Sequence, residues 1–272
     1  MNLRNLNRWQ AGSGHLSFSV LLGAAVFVLF RFVWYPDALF ELGGAAKLML
    51  LVVGIDVALG PLLTLIVFDP KKKSLIGDLA VIVALQVAAL GYGVWVMAQS
   101  RPVFLVGATD RFELVTANQI EPESLRSASR PEWRRLSWTG PVRVGARPPA
   151  DPDERLNLAI QAIQGGPDMV QLPEYFVPVS EVVASLVSNS RPLSDFERSQ
   201  PEQVAHLRAW LAGRGIAESS AAVLPLKART GTGAILIDRA TGVPLRTATF
   251  DGDTTRPSET PPSASSGDRA DR

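Results

Sequence analysis

Apolar residues are unevenly spread along the 272-residue chain: the first hundred positions hold three long blocks with few charges, and the remainder alternates in short runs. The blocks are HLSFSVLLGAAVFVLFRFVWY (15–35), AAKLMLLVVGIDVALGPLLTLIVF (45–68) and DLAVIVALQVAALGYGVWVMAQ (78–99). Each approaches the ~20 apolar residues an α-helix needs to cross ~30 Å of hydrocarbon. The pattern therefore predicts three transmembrane α-helices within residues 15–100, after a cytoplasmic segment over residues 1–14.

Past residue 100 the periods shorten. RPVFLVGATDRFELVTA (101–117) reads as two β-rich runs around a Thr109-Asp110-Arg111 turn, a hairpin starting just above the membrane. DPDERLNLAIQAIQGGP (151–167) carries helix punctuation: Asp151 as N-cap, Pro152 in the first turn, Glu154 behind it and a Gly165-Gly166-Pro167 stop. Leu156, Ala159, Ile160 and Ile163 share one face of that helix, which predicts that it covers a core. Further helices are expected over 181–188 and 201–212, the latter with Val204, Leu207 and Leu211 as its apolar stripe. Strands are expected over 221–228, 233–238 and 243–250. The mixture predicts an α+β periplasmic domain over 101–250. Residues 251–272, rich in Pro, Ser and Thr, offer nothing to bury and are expected to be a disordered tail.

Charge sets the orientation. Arg4 and Arg8 precede the first span, the loop over 36–44 has only Asp37 and Glu41, and the next loop carries Lys71, Lys72 and Lys73. Lys and Arg favour the cytoplasmic side, so the amino terminus and the lysine loop are expected inside and the α+β domain outside. Lys71, Lys72 and Lys73 are read as topology and anionic-lipid contacts. Trp34 and Tyr35 fall where an interfacial aromatic anchor belongs, with Arg31 able to snorkel toward it. Cleavage of the first block as a secretory signal is disfavoured, because it ends in RFVWYP and lacks the small residues a signal peptidase needs.

The composition narrows the chemistry. Net charge is +1, there are no cysteines, and the chain has just two histidines, His15 and His206. Nothing indicates a nucleic-acid partner, a zinc site, a histidine-based triad or any cofactor. No nucleophile elbow, metalloprotease or phosphate-loop motif occurs. Trp133 and Trp138, beside Arg134 and Arg135, are either an aromatic–cationic patch or half-buried loop anchors.

One residue is out of keeping with its surroundings. Asp56 lies midway along the second span, where a carboxylate is costly and needs a partner or a task. At ~1.5 Å per residue it lies ~18 Å deep, and Gln86 on the third span lies ~12 Å deep, within reach of a long amide. Gly54, Ala58 and Gly60 face a chain segment with Ala84, Ala88, Ala89, Gly91 and Gly93, composition suited to close helix contact. Pro61 leaves the Val57 carbonyl without its helical amide. Asp56, Gly60, Pro61 and Gln86 thus form a candidate intramembrane cluster. It is either a neutral, structural hydrogen-bonding group or a contact for a partner helix, with a proton pathway as a further option.

Taken in order, FVWYPDALFELGG, GIDVALGPLLTLIVFDPKKKSL, DLAVIVALQVAALGYGVWVMAQSRPVFLV and DRFELV resemble the TfpX/TfpZ family of type IV pilin accessory proteins. A weaker likeness continues through LPEYFVPVSE, RPLSDFE, LPLKARTG and IDRATGVPL, and residues 118–150 and the tail depart from it. The resemblance implies a chaperone-like protein of a Gram-negative inner membrane, not an enzyme, that assists assembly or surface display of a cognate type IV pilin. It also implies a partner for Asp56, since a type IV pilin waits in the membrane as an apolar helix with an acidic residue near its start. Two other classes stay open: a membrane-anchored sensor with the external domain as its ligand pocket, and a small proton-coupled enzyme or transport subunit using Asp56. Three helices leave little room for a transport path unless the chain forms a homo-oligomer.

Overall fold

The computed structural model describes residues 6–250; Arg4 and the expected tail lie outside them. Three helices are long and apolar enough to cross a membrane. The first, α1 (Arg8–Val28), starts seven residues before the apolar block because Asn7 and Gln10 close a reciprocal capping box. It continues as a π-helical turn over Leu29–Trp34. The loop after it contains a short helix, α2 (Leu39–Leu42), and the sharp turn is carried by Asp37 at φ 53° and Gly44 at φ 73°. The other spans are α3 (Ala45–Val67) and α4 (Leu75–Ser100).

Strand β1 (Pro102–Gly107) follows α4 almost directly and turns back as β2 (Phe112–Thr116), around the turn expected from Thr109-Asp110-Arg111. The remaining elements are β3 (Val142–Ala146), α5 (Pro152–Ile163), β4 (Phe176–Val177), α6 (Val183–Asn189), α7 (Pro201–Ala212), β5 (Ala221–Ala228), β6 (Gly231–Asp238) and β7 (Pro244–Ala248). The strands form one sheet in the order β4-β3-β1-β2-β5-β6-β7. Its parallel joins are β1 with β3 and β2 with β5. The second is short, and it places Glu113 opposite Lys227. The nearly buried Glu113 carboxylate there is held by Arg111 at 2.7 Å and Lys227 at 3.2 Å. The protein is thus a membrane protein with three apolar helices followed by an α+β domain.

The sheet's alternating side chains separate two sides. Leu105, Phe112, Leu114, Leu224, Leu226, Ile235 and Ile237 share one core with Phe30, Trp34, Tyr35, Leu39, Leu42 and Met97 from the ends of the spans and the loop between them. Val223, Ala234 and Leu236, pointing the other way, pack under α7 and Phe250. The helices and the sheet are therefore joined by continuous apolar burial, whose driving force scales with the area removed from water. Polar ties reinforce the joint: Tyr35 donates to the Ser100 carbonyl at 2.8 Å, the Ala38 amide donates to Thr247 Oγ1 at 3.2 Å, and Thr230 donates to the Leu42 carbonyl.

Three expectations change. Trp34 and Tyr35 form no interfacial anchor: both are buried in the core between the spans and the sheet, packed by protein on all sides. α5 begins at Pro152 with Asp151 as N-cap, but it covers no core with the expected face: Leu156 is 60% and Ile163 85% exposed. Polar ties hold its other side, where Tyr175 donates to Glu154 at 2.8 Å and Arg155 donates to the Pro149 carbonyl, and Leu158 and Ala162 on that side are half-buried. The tryptophans also part company. Trp133 is buried edge-on against Phe176, whereas Trp138 is exposed and lies beneath the Arg101 guanidinium, so the pair makes no common patch.

Candidate intramembrane polar site

α3 is the middle helix of the three. Gly12 and Gly23 of α1 admit Leu65 and Val53 of α3, and Gly93 of α4 admits Val52. These close approaches are what small residues permit in a membrane, where packing and not water exclusion draws helices together. Gly54 and Gly91, expected in the same contacts, have nothing within 4 Å of the position a Cβ would take.

Gly60 does more than admit a neighbour. A Cβ there would fall on the Gln86 amide, so the missing side chain makes the space in which that amide lies. From it Gln86 Nε2 donates to Asp56 Oδ1 at 2.9 Å and to the Asp56 carbonyl at 3.2 Å. Asp56, Gly60, Pro61 and Thr64 are buried on α3. The structure thus brings Asp56, Gly60 and Gln86 into direct contact, with Pro61 beside them. Lys71, Lys72 and Lys73 are in the exposed loop between α3 and α4, where Lys72 pairs with Asp78 at 2.6 Å.

The site extends to residues that sequence reasoning left out. His15 Nδ1 lies 2.6 Å from Thr64 Oγ1, two turns along α3 from Asp56. His15 and Ser19 of α1 face Asp56 and Gln86 across a cavity of about 220 Å³, whose apolar walls include Phe18 and Leu22 of α1 and Val83, Val87 and Leu90 of α4. The spacing signals were present in the chain: Asp56, Gly60 and Thr64 recur every fourth residue, as do His15 and Ser19, and each set therefore lies on one helical face.

One buried acceptor at this cavity is left unmet. Gln86 spends its amide hydrogens on Asp56, and its Oε1 is buried with no hydrogen-bond partner among the described residues. An unmade hydrogen bond in such surroundings costs about 1–3 kcal/mol. Among the described residues, no three His, Asp or Glu side chains gather as metal ligands.

No family model and no solved structure matches the chain. Among curated proteins it is 32% identical over 182 residues to the fimbrial assembly protein, serogroup I, of Dichelobacter nodosus, covering 66% of this chain and 70% of that protein. It is 30% identical over 215 residues to the serogroup E1 protein of the same organism, covering 78% and 83%. With the protein of serogroups C1 and C2 it shares 35% identity over 116 residues, 42% of this chain and 88% of that one. The resemblance read from its membrane motifs, to type IV pilin accessory proteins, agrees with these relatives. Similarity of this extent, across both the spans and the α+β domain, makes the chain a member of the fimbrial assembly protein family.

Proposed function

We propose that this protein is a chaperone-like accessory protein that receives a cognate type IV pilin in the bacterial inner membrane and presents it for assembly, acting by binding and not by catalysis. The observation that carries this reading is the similarity to fimbrial assembly proteins over most of the chain. The side cavity over Asp56 supports it by offering an apolar opening between α1 and α4 with room for a side chain of a partner helix. In this reading the amino terminus and the lysine loop are cytoplasmic, as the Lys and Arg distribution favours, and the α+β domain is periplasmic, next to the pilin's head as it leaves the bilayer.

Photo-crosslinking tests it. Gly60 is unsuitable as a probe site, since Gln86 fills its space. Phe18 and Val87, each 63% exposed on the cavity rim, are the better positions. A photo-crosslinker at either should capture the cognate pilin, and one at Ser74 in the lysine loop should not. Deleting the protein should leave pilin in the membrane while surface pili fall, and an unrelated pilin in the same strain should still assemble. Capture at neither rim position nor the external domain, together with equal loss of every pilin type, would overturn the reading.

Asp56 is the residue to separate structure from proton chemistry. Asp56→Asn keeps an acceptor for Gln86 and adds a donor, so surface pili should persist. Asp56→Leu should weaken the α3–α4 contact by about 0.6 kcal/mol, the average for interhelical hydrogen bonds in membranes. Loss of pili in both variants at normal membrane abundance would instead assign the work to the proton.

A further inference from the structure

Trp138 is a large aromatic side chain left open on the α+β domain, 59% exposed. Its surroundings place it relative to the bilayer. The ring lies 6.0 Å from that of Trp34, the last residue of the first span. Gly140, two residues on, lies against the Val33 carbonyl and Pro36 at φ +95°, a backbone conformation that favours glycine. On the other side Arg101, the first residue past the third span, donates to the Ser137 carbonyl at 2.8 Å and holds its guanidinium 3.7 Å from the centre of the Trp138 ring. The loop over 137–140 is therefore fastened to the ends of two spans at the level where both leave the hydrocarbon.

An exposed indole at that depth meets lipid headgroups, the layer in which Trp and Tyr concentrate because one end of the ring is apolar and the other can hydrogen-bond. Other exposed rings are found on the last three turns of the first and third spans. Tyr92 and Trp95 of α4, stacked at 5.8 Å, are 66% and 56% exposed, and Phe32 is 66% exposed. We propose that the 137–140 loop is a membrane-interface anchor, with Trp138 seated in the headgroup layer of the leaflet facing the α+β domain. The domain is then held to the bilayer by its own lipid contact as well as by the core it shares with the ends of the spans.

The chain has no cysteine, so a single introduced one reports one position. Full-length Trp138→Cys and Ile163→Cys proteins, each carrying a nitroxide label, would be reconstituted in phosphatidylethanolamine–phosphatidylglycerol vesicles. Collision rates with oxygen, which partitions into lipid, and with a water-soluble nickel chelate would then be compared. Ile163, on the exposed face of α5, is the aqueous reference. The label at 138 should show a several-fold higher oxygen-to-nickel ratio than the label at 163. A second readout spares the ring's shape: Trp138→Phe should remove part of the tryptophan fluorescence that brominated lipids quench in the unlabelled protein. Equal ratios at the two positions, a label at 138 reached by neither reagent, or unchanged quenching in Trp138→Phe would overturn the anchor.

Discussion

Gly60→Val should be among the most damaging single substitutions in the membrane spans, costing about 2–4 kcal/mol of bundle stability. The new side chain has to occupy the space of the Gln86 amide. Overpacking of this kind costs ~1–3 kcal/mol, and driving Gln86 away removes both of its hydrogen bonds to Asp56. Each polar group then left unpaired in apolar surroundings adds ~1–3 kcal/mol, part of which the bundle recovers by relaxing. Gly54→Val, on the same helix with open space at its Cβ position, should be close to neutral. Reversible unfolding in detergent mixed with increasing SDS would measure both. Combining Gly60→Val with Gln86→Ala should be far less damaging than the sum of the two, because one change removes the atoms that the other strikes. Equal losses at Gly60 and Gly54 would place the Gln86 amide elsewhere.

Leu224→Ala should lower the stability of the α+β domain by about 2–5 kcal/mol, the range for truncating a leucine in a packed core. Leu224 is fully buried in the core that the sheet shares with the ends of the spans, so the cavity opens at the joint between the two parts. Proteolysis near the α4–β1 connection should accelerate along with the fall in melting temperature. Leu156→Ala is the contrast. Both are leucines in regular elements with apolar periodicity, but Leu156 is exposed, and its truncation should stay within ~0.5 kcal/mol. A comparable loss at Leu156 would mean that the exposed face of α5 is covered after all.

These two contrasts also divide what was legible along the chain from what was not. Gly60 differs from Gly54 along the chain by its spacing of four from Asp56, which puts it on the same helical face, whereas nothing local distinguishes Leu224 from Leu156. The candidate cluster was legible in its main members, because a carboxylate in an apolar run is rare and the arithmetic of helix rise brought Gln86 near it. His15, Ser19 and Thr64 escaped attention because weakly polar residues are ordinary near the ends of spans, and only their facing one cavity makes them part of the site. Strand β3 escaped as well: its stretch is brief and half-exposed, and it becomes a strand by pairing in parallel with β1. The lysine loop, by contrast, could be found from its charge, but its lysines do not line the cavity.

By itself the sequence determined the three apolar spans, the α+β character of the rest, the β1–β2 hairpin and helix α7, whose expected stripe of Val204, Leu207 and Leu211 is buried. These depend on interactions between residues a few positions apart, on period, caps and turn residues, which the local chain contains in full. The tertiary structure decided which faces are covered. It turned the apolar stripe of α5 outward, buried Trp133 while exposing Trp138, and placed Gln86 over Gly60. It also joined the sheet to the ends of the spans through residues as far apart as Phe30 and Ile237. Periodicity names a helix or strand and its apolar side, but what that side meets depends on segments distant in the chain, and only the folded packing brings those together.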